Sequence, residues 1–156
     1  GNVGRAPEGA RDFVVQISIV LSKGTFDEDF PEDVLGDLER RIHRGLRLAA
    51  TSEDEGEMMA FFRENKALKT EMGIDCHFCR VGHPPEGIGE AAVDSDDDIR
   101  ARKVALLRRV EGMAVANDDP SDEMYALFRK VLYTMRCDVT MDRLEDLEKR
   151  CDALSA

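Results

Sequence analysis

Phe13-Val14-Val15-Gln16-Ile17-Ser18-Ile19-Val20-Leu21 is the stretch on which the fold class turns. Its β-branched density favours a strand, because Val and Ile lose side-chain freedom in a helix and pack well on a pleated surface. A lone strand, however, would leave its backbone N–H and C=O groups without a partner in a chain whose other segments carry helical spacing. The stretch is therefore read as a helix over about residues 12–22, and the chain as all-α. It is also the longest apolar run, interrupted by Gln16 and Ser18. It falls short of the roughly 18–20 residues that a membrane-spanning helix needs, so no membrane insertion is expected. Arg5 and Arg11 precede it as basic residues precede a signal peptide, but Ser22-Lys23-Gly24-Thr25-Phe26 does not resemble a cleavage site. With Gly1 in place of an initiating Met, the expectation is a processed or trimmed product.

Working outward, residues 1–11 (GNVGRAPEGAR) read as a flexible arm, and 12–156 as a single helical domain. Gly24 to Pro31 is a loop, and Pro31 opens a helix that has no use for its missing N–H. Leu35, Leu38, Ile42, Leu46 and Ala49 then recur at helical spacing, with Arg40, Arg41, Arg44 and Arg47 on other faces. Ser52-Glu53-Asp54-Glu55 has the form of a capping box for the next helix. Met58, Phe61, Phe62, Leu68 and Met72 follow as its stripe, and Gly73 is the stop. From Ile74 to Ser95 no helical period holds; this is a long irregular loop rich in Cys, Pro and Gly. Asp96, Asp97 and Asp98 place negative charge at the start of another helix, with Ile99, Leu106, Val110 and Met113 on its buried side. Pro120 opens the next, carrying Met124, Phe128, Val131 and Met135. Thr140 caps the last, on which Leu144, Leu147, Cys151 and Leu154 share a face. The four helices after residue 50 and the one opened by Pro31 give the expected count of about five helices, in an antiparallel-looking arrangement.

The 156 residues suffice for one domain with a real core. Acids outnumber bases 33 to 22, for a net charge of −11, and charged residues make up 35% of the chain. The composition reads as soluble and charge-rich, and a nucleic acid or anionic membrane would be repelled. No P-loop, G-x-S-x-G or H-E-x-x-H motif is present, and His43 among its arginines reads as a surface or structural histidine. The acidic run 94–98 lacks the spacing of a calcium loop. The methionines read as core filler.

The chemical signal is Cys76-His77-Phe78-Cys79-Arg80-Val81-Gly82-His83. Cys76, Cys79 and His83 could hold zinc, with Cys137 or His77 as a fourth ligand. The pair also has the spacing of a redox dithiol, but a helix precedes it where that chemistry usually has a strand. A Cys76–Cys79 disulfide or two free thiols pinning the loop is the simplest account. Cys137 and Cys151 could form a second bridge, or Cys151 could stay reduced on its apolar stripe.

Met72-Gly73-Ile74-Asp75-Cys76-His77-Phe78-Cys79 resembles the L-G-V-x-C-x-[YF]-C segment of c-type cytochromes related to the photosynthetic reaction-centre cytochrome subunit. That family continues with acidic residues and a helix of the pattern A-R-x-M…M…N. Here stand Asp94 to Asp98, then Ala101-Arg102-Lys103-Val104, Met113 and Asn117, so residues 58–117 take part. The resemblance implies covalent haem on Cys76 and Cys79, electron transfer, and a periplasmic or otherwise exported location. The departures fall at the iron: Arg80 replaces the proximal His, and Arg63 stands where the family carries its Met ligand. A guanidinium has no lone pair to give iron. The expectation is thus a non-enzymatic helical protein without cofactor, kept for structural support or for an unknown protein partner. The alternative is an atypical haem c protein, with His83, His77, Met58 or Met59 as ligands. A zinc-stabilised module comes third.

Overall fold

The computed structural model describes residues 9–25, 30–74, 97–135 and 139–155. Among them are six helices and no strand: α1 (Ala10–Gly24), α2 (Glu32–Thr51), α3 (Glu55–Glu71), α4 (Asp97–Ala116), α5 (Asp122–Thr134) and α6 (Met141–Ser155). The all-α reading is correct. None of these helices is long and apolar enough to cross a membrane. The helix α1 starts at Ala10, so residues 10 and 11, assigned to the arm, are helical; residues 1–8 lie outside the described part.

The stretch that favoured a strand forms the most enclosed helix. Val14, Ile17, Ser18, Leu21, Ser22 and Thr25 are buried at spacings of three and four, which is the helical period. Of residues 13–21 only Gln16 is exposed. The three hydroxyls enter the core at little cost because each donates within the helix: Ser18 Oγ to Val14 O at 3.0 Å, Ser22 Oγ to Ile19 O, and Thr25 Oγ1 to Ser22 O at 2.7 Å.

Helix α1 packs on α2, α3 and α5; α2 also packs on α3, α4 and α5, and α6 closes against α4 and α5. Leu38, Ile42, Leu46, Phe61, Leu106, Leu127, Phe128, Leu132, Tyr133, Leu144 and Leu147 are the large buried side chains of these faces. A close approach falls at Gly45 of α2. A Cβ there would lie 2.5 Å from Ser18 Oγ and 2.9 Å from Phe61 Cζ. The absence of a side chain lets three helices meet at one point.

Helix ends refine the sequence reading. Pro31 is the residue before the first turn of α2, with its carbonyl accepting from Leu35 N at 3.0 Å. The capping box assigned to Ser52–Glu55 is displaced: Asp54 caps α3, accepting from Glu57 N at 3.1 Å. Ser52, which follows the last turn of α2, accepts from Asp54 N and donates to Glu57 Oε1, each at 3.0 Å. Pro120, read as opening α5, stands just before its cap: Ser121 accepts from Met124 N at 3.2 Å, and the helix begins at Asp122. Gly73, at φ +70°, ends α3 with Gly73 N on Thr70 O and Ile74 N on Lys69 O. This is the left-handed glycine stop that its position suggested. Thr140 Oγ1 accepts from Arg143 N at 3.2 Å and starts α6, also as read.

Gly45→Ala tests the triple contact. Alanine improves helix propensity by up to ~1 kcal/mol. Against that, Ser18 would give up its bond to Val14 O and the buried Phe61 ring would be displaced, which costs about 1–3 kcal/mol. The clash outweighs the propensity, so a lower urea midpoint is expected. Combined with Ser18→Ala the loss should be smaller than the sum of the two.

Candidate functional site

Of the residues assigned from the cysteine motif, Cys76, His77, Cys79 and His83, and likewise Cys137, lie outside the described residues. The structure describes the helix on either side, ending at the Gly73 turn and resuming at Asp97. Met58 and Met59 are both on α3. Met58 is 5% exposed within the core, and Met59 is half-buried and packs against it. Arg63, which the sequence resemblance set against those cytochromes' Met ligand, is exposed. On α3 it is five residues from Met58, close to the opposite side from the stripe formed by Met58, Phe61 and Asn65.

Buried polar groups that sequence patterning did not single out hold the helices together. Asn65 is fully buried; its Nδ2 donates to Phe61 O at 2.8 Å, and its Oδ1 accepts from Arg41 Nη1 at 3.0 Å. Arg41 also donates to Asp37 at 2.8 Å and to Glu64 at 3.2 Å. The hydrogen bond to Asp37, partly opposed by desolvation, holds its guanidinium above the ordinary arginine range. Glu111, 4% exposed, accepts from Arg11 Nη2 at 2.9 Å and Arg108 Nη1 at 3.4 Å through Oε1. Arg11 Nε reaches Ala49 O at 2.9 Å, so one guanidinium joins α1, α2 and α4. Glu111 Oε2 is buried without a hydrogen-bond partner among the described residues.

His43 is 7% exposed and sits 2.8 Å from Asn117 O through Nε2. A carbonyl only accepts, so Nε2 carries the proton. The ring lies parallel to Phe128 and edge-on to Tyr125, each with centroids 6.1 Å apart. This is a structural histidine tying α2 to the turn after α4.

An open groove of ≈ 510 Å³ lies beside His43, between α2, the start of α3 and that turn. Arg44, Arg47, Thr51, Glu57 and Asp118 line it. Arg47 is bonded to Asp118, Thr51 Oγ1 donates to Arg47 O at 2.7 Å, and Ser52 and Glu57 bond each other. The hydroxyls and His43 Nε2 therefore serve backbone and carboxylate acceptors instead of forming a nucleophile–base pair. The sequence signal for this groove is the arginine spacing on α2. A second groove of ≈ 390 Å³, lined by Arg109, Met113, Met124 and Leu154 among others, lies where α4, α5 and α6 meet. In comparisons with known proteins, no family model, no curated protein and no solved structure matches this chain.

Cys151 is a free, buried thiol on α6. Burial pushes its pKa above the usual 9.0, an effect that the nearby Arg109 partly opposes. A raised folded-state pKa means that its contribution to stability is intact below the unfolded thiol's pKa and is lost as pH rises beyond it. Wild-type protein should therefore lose stability more steeply than Cys151→Ala between about pH 8 and 10 in urea titrations. At neutral pH, Cys151 should resist iodoacetamide until the chain unfolds, as read by peptide mass mapping.

Proposed function

We propose that this chain is a non-enzymatic helical protein with a structural or interaction role, resembling a c-type cytochrome whose iron-binding residues have been replaced. The observation that carries this reading is the use made of buried polar groups. His43, Asn65 and, through Oε1 alone, Glu111 are engaged in bonds that join helices or brace one, whereas a catalytic site leaves polar groups converging on a cavity. The exposed cation at Arg63 supports the loss of iron ligation, because the position offers neither a lone pair nor an apolar wall. An exported location belongs to the same reading.

One observation favours a second reading, an atypical covalent haem protein. Cys76 and Cys79 follow directly on the Gly73 stop, in the order of the family's attachment segment. On that reading the two thiols would carry the porphyrin, and His83, His77, Met58 or Met59 would ligate iron. Met58 would have to leave the core to do so, which removes one of the larger side chains of α3 from its packing.

Expression with and without a cytochrome maturation system separates the two. The proposal expects no Soret band from either preparation. A band that appears with maturation and survives acid–acetone extraction overturns it in favour of covalent haem. One zinc per chain by elemental analysis would instead establish the zinc-stabilised module held by Cys76, Cys79 and His83.

A further inference from the structure

Residues 40–51, RRIHRGLRLAAT, hold four arginines and a histidine without a single carboxylate, in a chain whose acids outnumber its bases 33 to 22. Arg40, Arg44 and Arg47 are spaced four and three apart, so they form one row on the side of α2 turned away from Leu38, Ile42, Gly45 and Ala49. Two of the four cations are neutralised: Arg41 by Asp37 and Glu64, and Arg47 by Asp118. Arg40 and Arg44 are exposed, and neither pairs with a carboxylate among the described residues. The Arg44 guanidinium lies over the Phe61 ring, 5.5 Å from its centroid, so its side chain is already partly ordered. A ligand then has less freedom to remove on binding.

We propose that this row is a docking surface for an acidic segment of a partner protein. Its carboxylates take the guanidinium forks of Arg40 and Arg44, and its next side chain enters the groove beside Arg47. The proposal rests on the interaction role given above and names the chemistry of the partner.

Spacing and wall charge define the segment. Side chains one helical turn apart stand about 5–6 Å apart at Cβ. Alternate residues of an extended chain are about 6.6 Å apart, so a Glu-x-Glu pattern suits the roots of the two side chains, whose heads swing to it from rest positions over Gly36 for Arg40 and over Phe61 for Arg44. Past Arg44 the groove is walled by Glu57 and Asp118, so the residue that follows should be neutral or basic. The same walls, and the net charge of −11, disfavour a nucleic-acid strand, which carries a negative charge at every unit. Exposed ion pairs are individually weak, so binding should be modest and lost in high salt.

The test is an NMR titration of the full chain at low salt with an alternating Glu–Ala decapeptide. The expected result is saturable binding with shifts centred on Arg40, Arg44 and the groove. It should weaken about tenfold or more in Arg40→Glu/Arg44→Glu and stay within about twofold in the exposed control Arg63→Glu. Circular dichroism checks folding, and Arg40→Gln/Arg44→Gln reads the same contact should the charge reversal unfold. No saturable binding by the wild type, or equal binding by the double variants, overturns the proposal. Tighter binding of a uridine decanucleotide than of the peptide overturns it in favour of a nucleic-acid surface. A Soret band would defeat the function proposed above without altering this titration, so the two failures are distinguishable.

Discussion

The packing of this protein depends on a missing side chain. At Gly45 the backbone of α2 comes within contact of Ser18 on α1 and of the Phe61 ring on α3, closer than any Cβ would allow. Glycine in the middle of a helix costs about 1 kcal/mol against alanine, so its presence there needs a compensating gain. The gain is the burial of α1, whose stripe from Val14 to Thr25 is enclosed nearly completely, together with a fully covered Phe61. A wider spacing would leave a gap along that stripe, and the atoms on either side would lose dispersion contacts outright. The other features of this half of the molecule follow from the close approach. Ser18, wholly buried, bonds its own helix. Arg41 bridges from α2 to Asn65 and Glu64 on α3.

Much of this architecture was legible in the residues, though for unequal reasons. Helices with an apolar stripe and a polar back, such as α2 and α6, announce themselves through spacing alone. The case of α1 is different. Its local propensity points to a strand, and only the lack of a pairing partner decides for a helix. The structure supplies the missing reason: Ser18, Ser22 and Thr25 belong to the buried stripe, which hides the helical period from any count of apolar residues. The cap misread at Ser52 has a local cause. Where several cap-competent residues stand in a row, the choice depends on where the preceding segment ends. Ser52 still follows the last turn of α2, so the cap of α3 passes to Asp54.

The candidate site was less legible, because its chemistry is divided between two kinds of signal. The cysteine motif is conspicuous in sequence and falls on residues 75–96, outside the described part. The polar groups that the structure does describe were inconspicuous. Asn65 sits at a core position of α3, and nothing in a linear pattern announces that Arg41, one helix earlier, will satisfy it. Glu111 and Arg11 are 100 residues apart. Such pairings arise only when packing brings the groups together, and a buried polar atom left without a partner is costly, as Glu111 Oε2 is among the described residues. The arginines of α2 show both outcomes on one helix: Arg41 is consumed by packing, whereas Arg40 and Arg44 are exposed and take no carboxylate partner among the described residues.

The faces of α3 bear on the proposed loss of haem. A porphyrin bound next to this helix would need an apolar flank at least as wide as the ring. The apolar face of α3, with Met58, Phe61 and Phe62, is taken up by contacts with α1, including the Phe13–Phe62 ring pair at 4.8 Å. The opposite face presents Ala60, Arg63 and Ala67, all exposed, which offer methyl groups and a cation in place of a wall. Iron ligation and hydrophobic enclosure are separate requirements, and a chain that had lost only its ligands could still keep the enclosure. Here the helix preceding the cysteine pair has its one apolar face committed to the protein's own core. On the proposed reading, the apolar face of α3 stabilises the fold by covering α1.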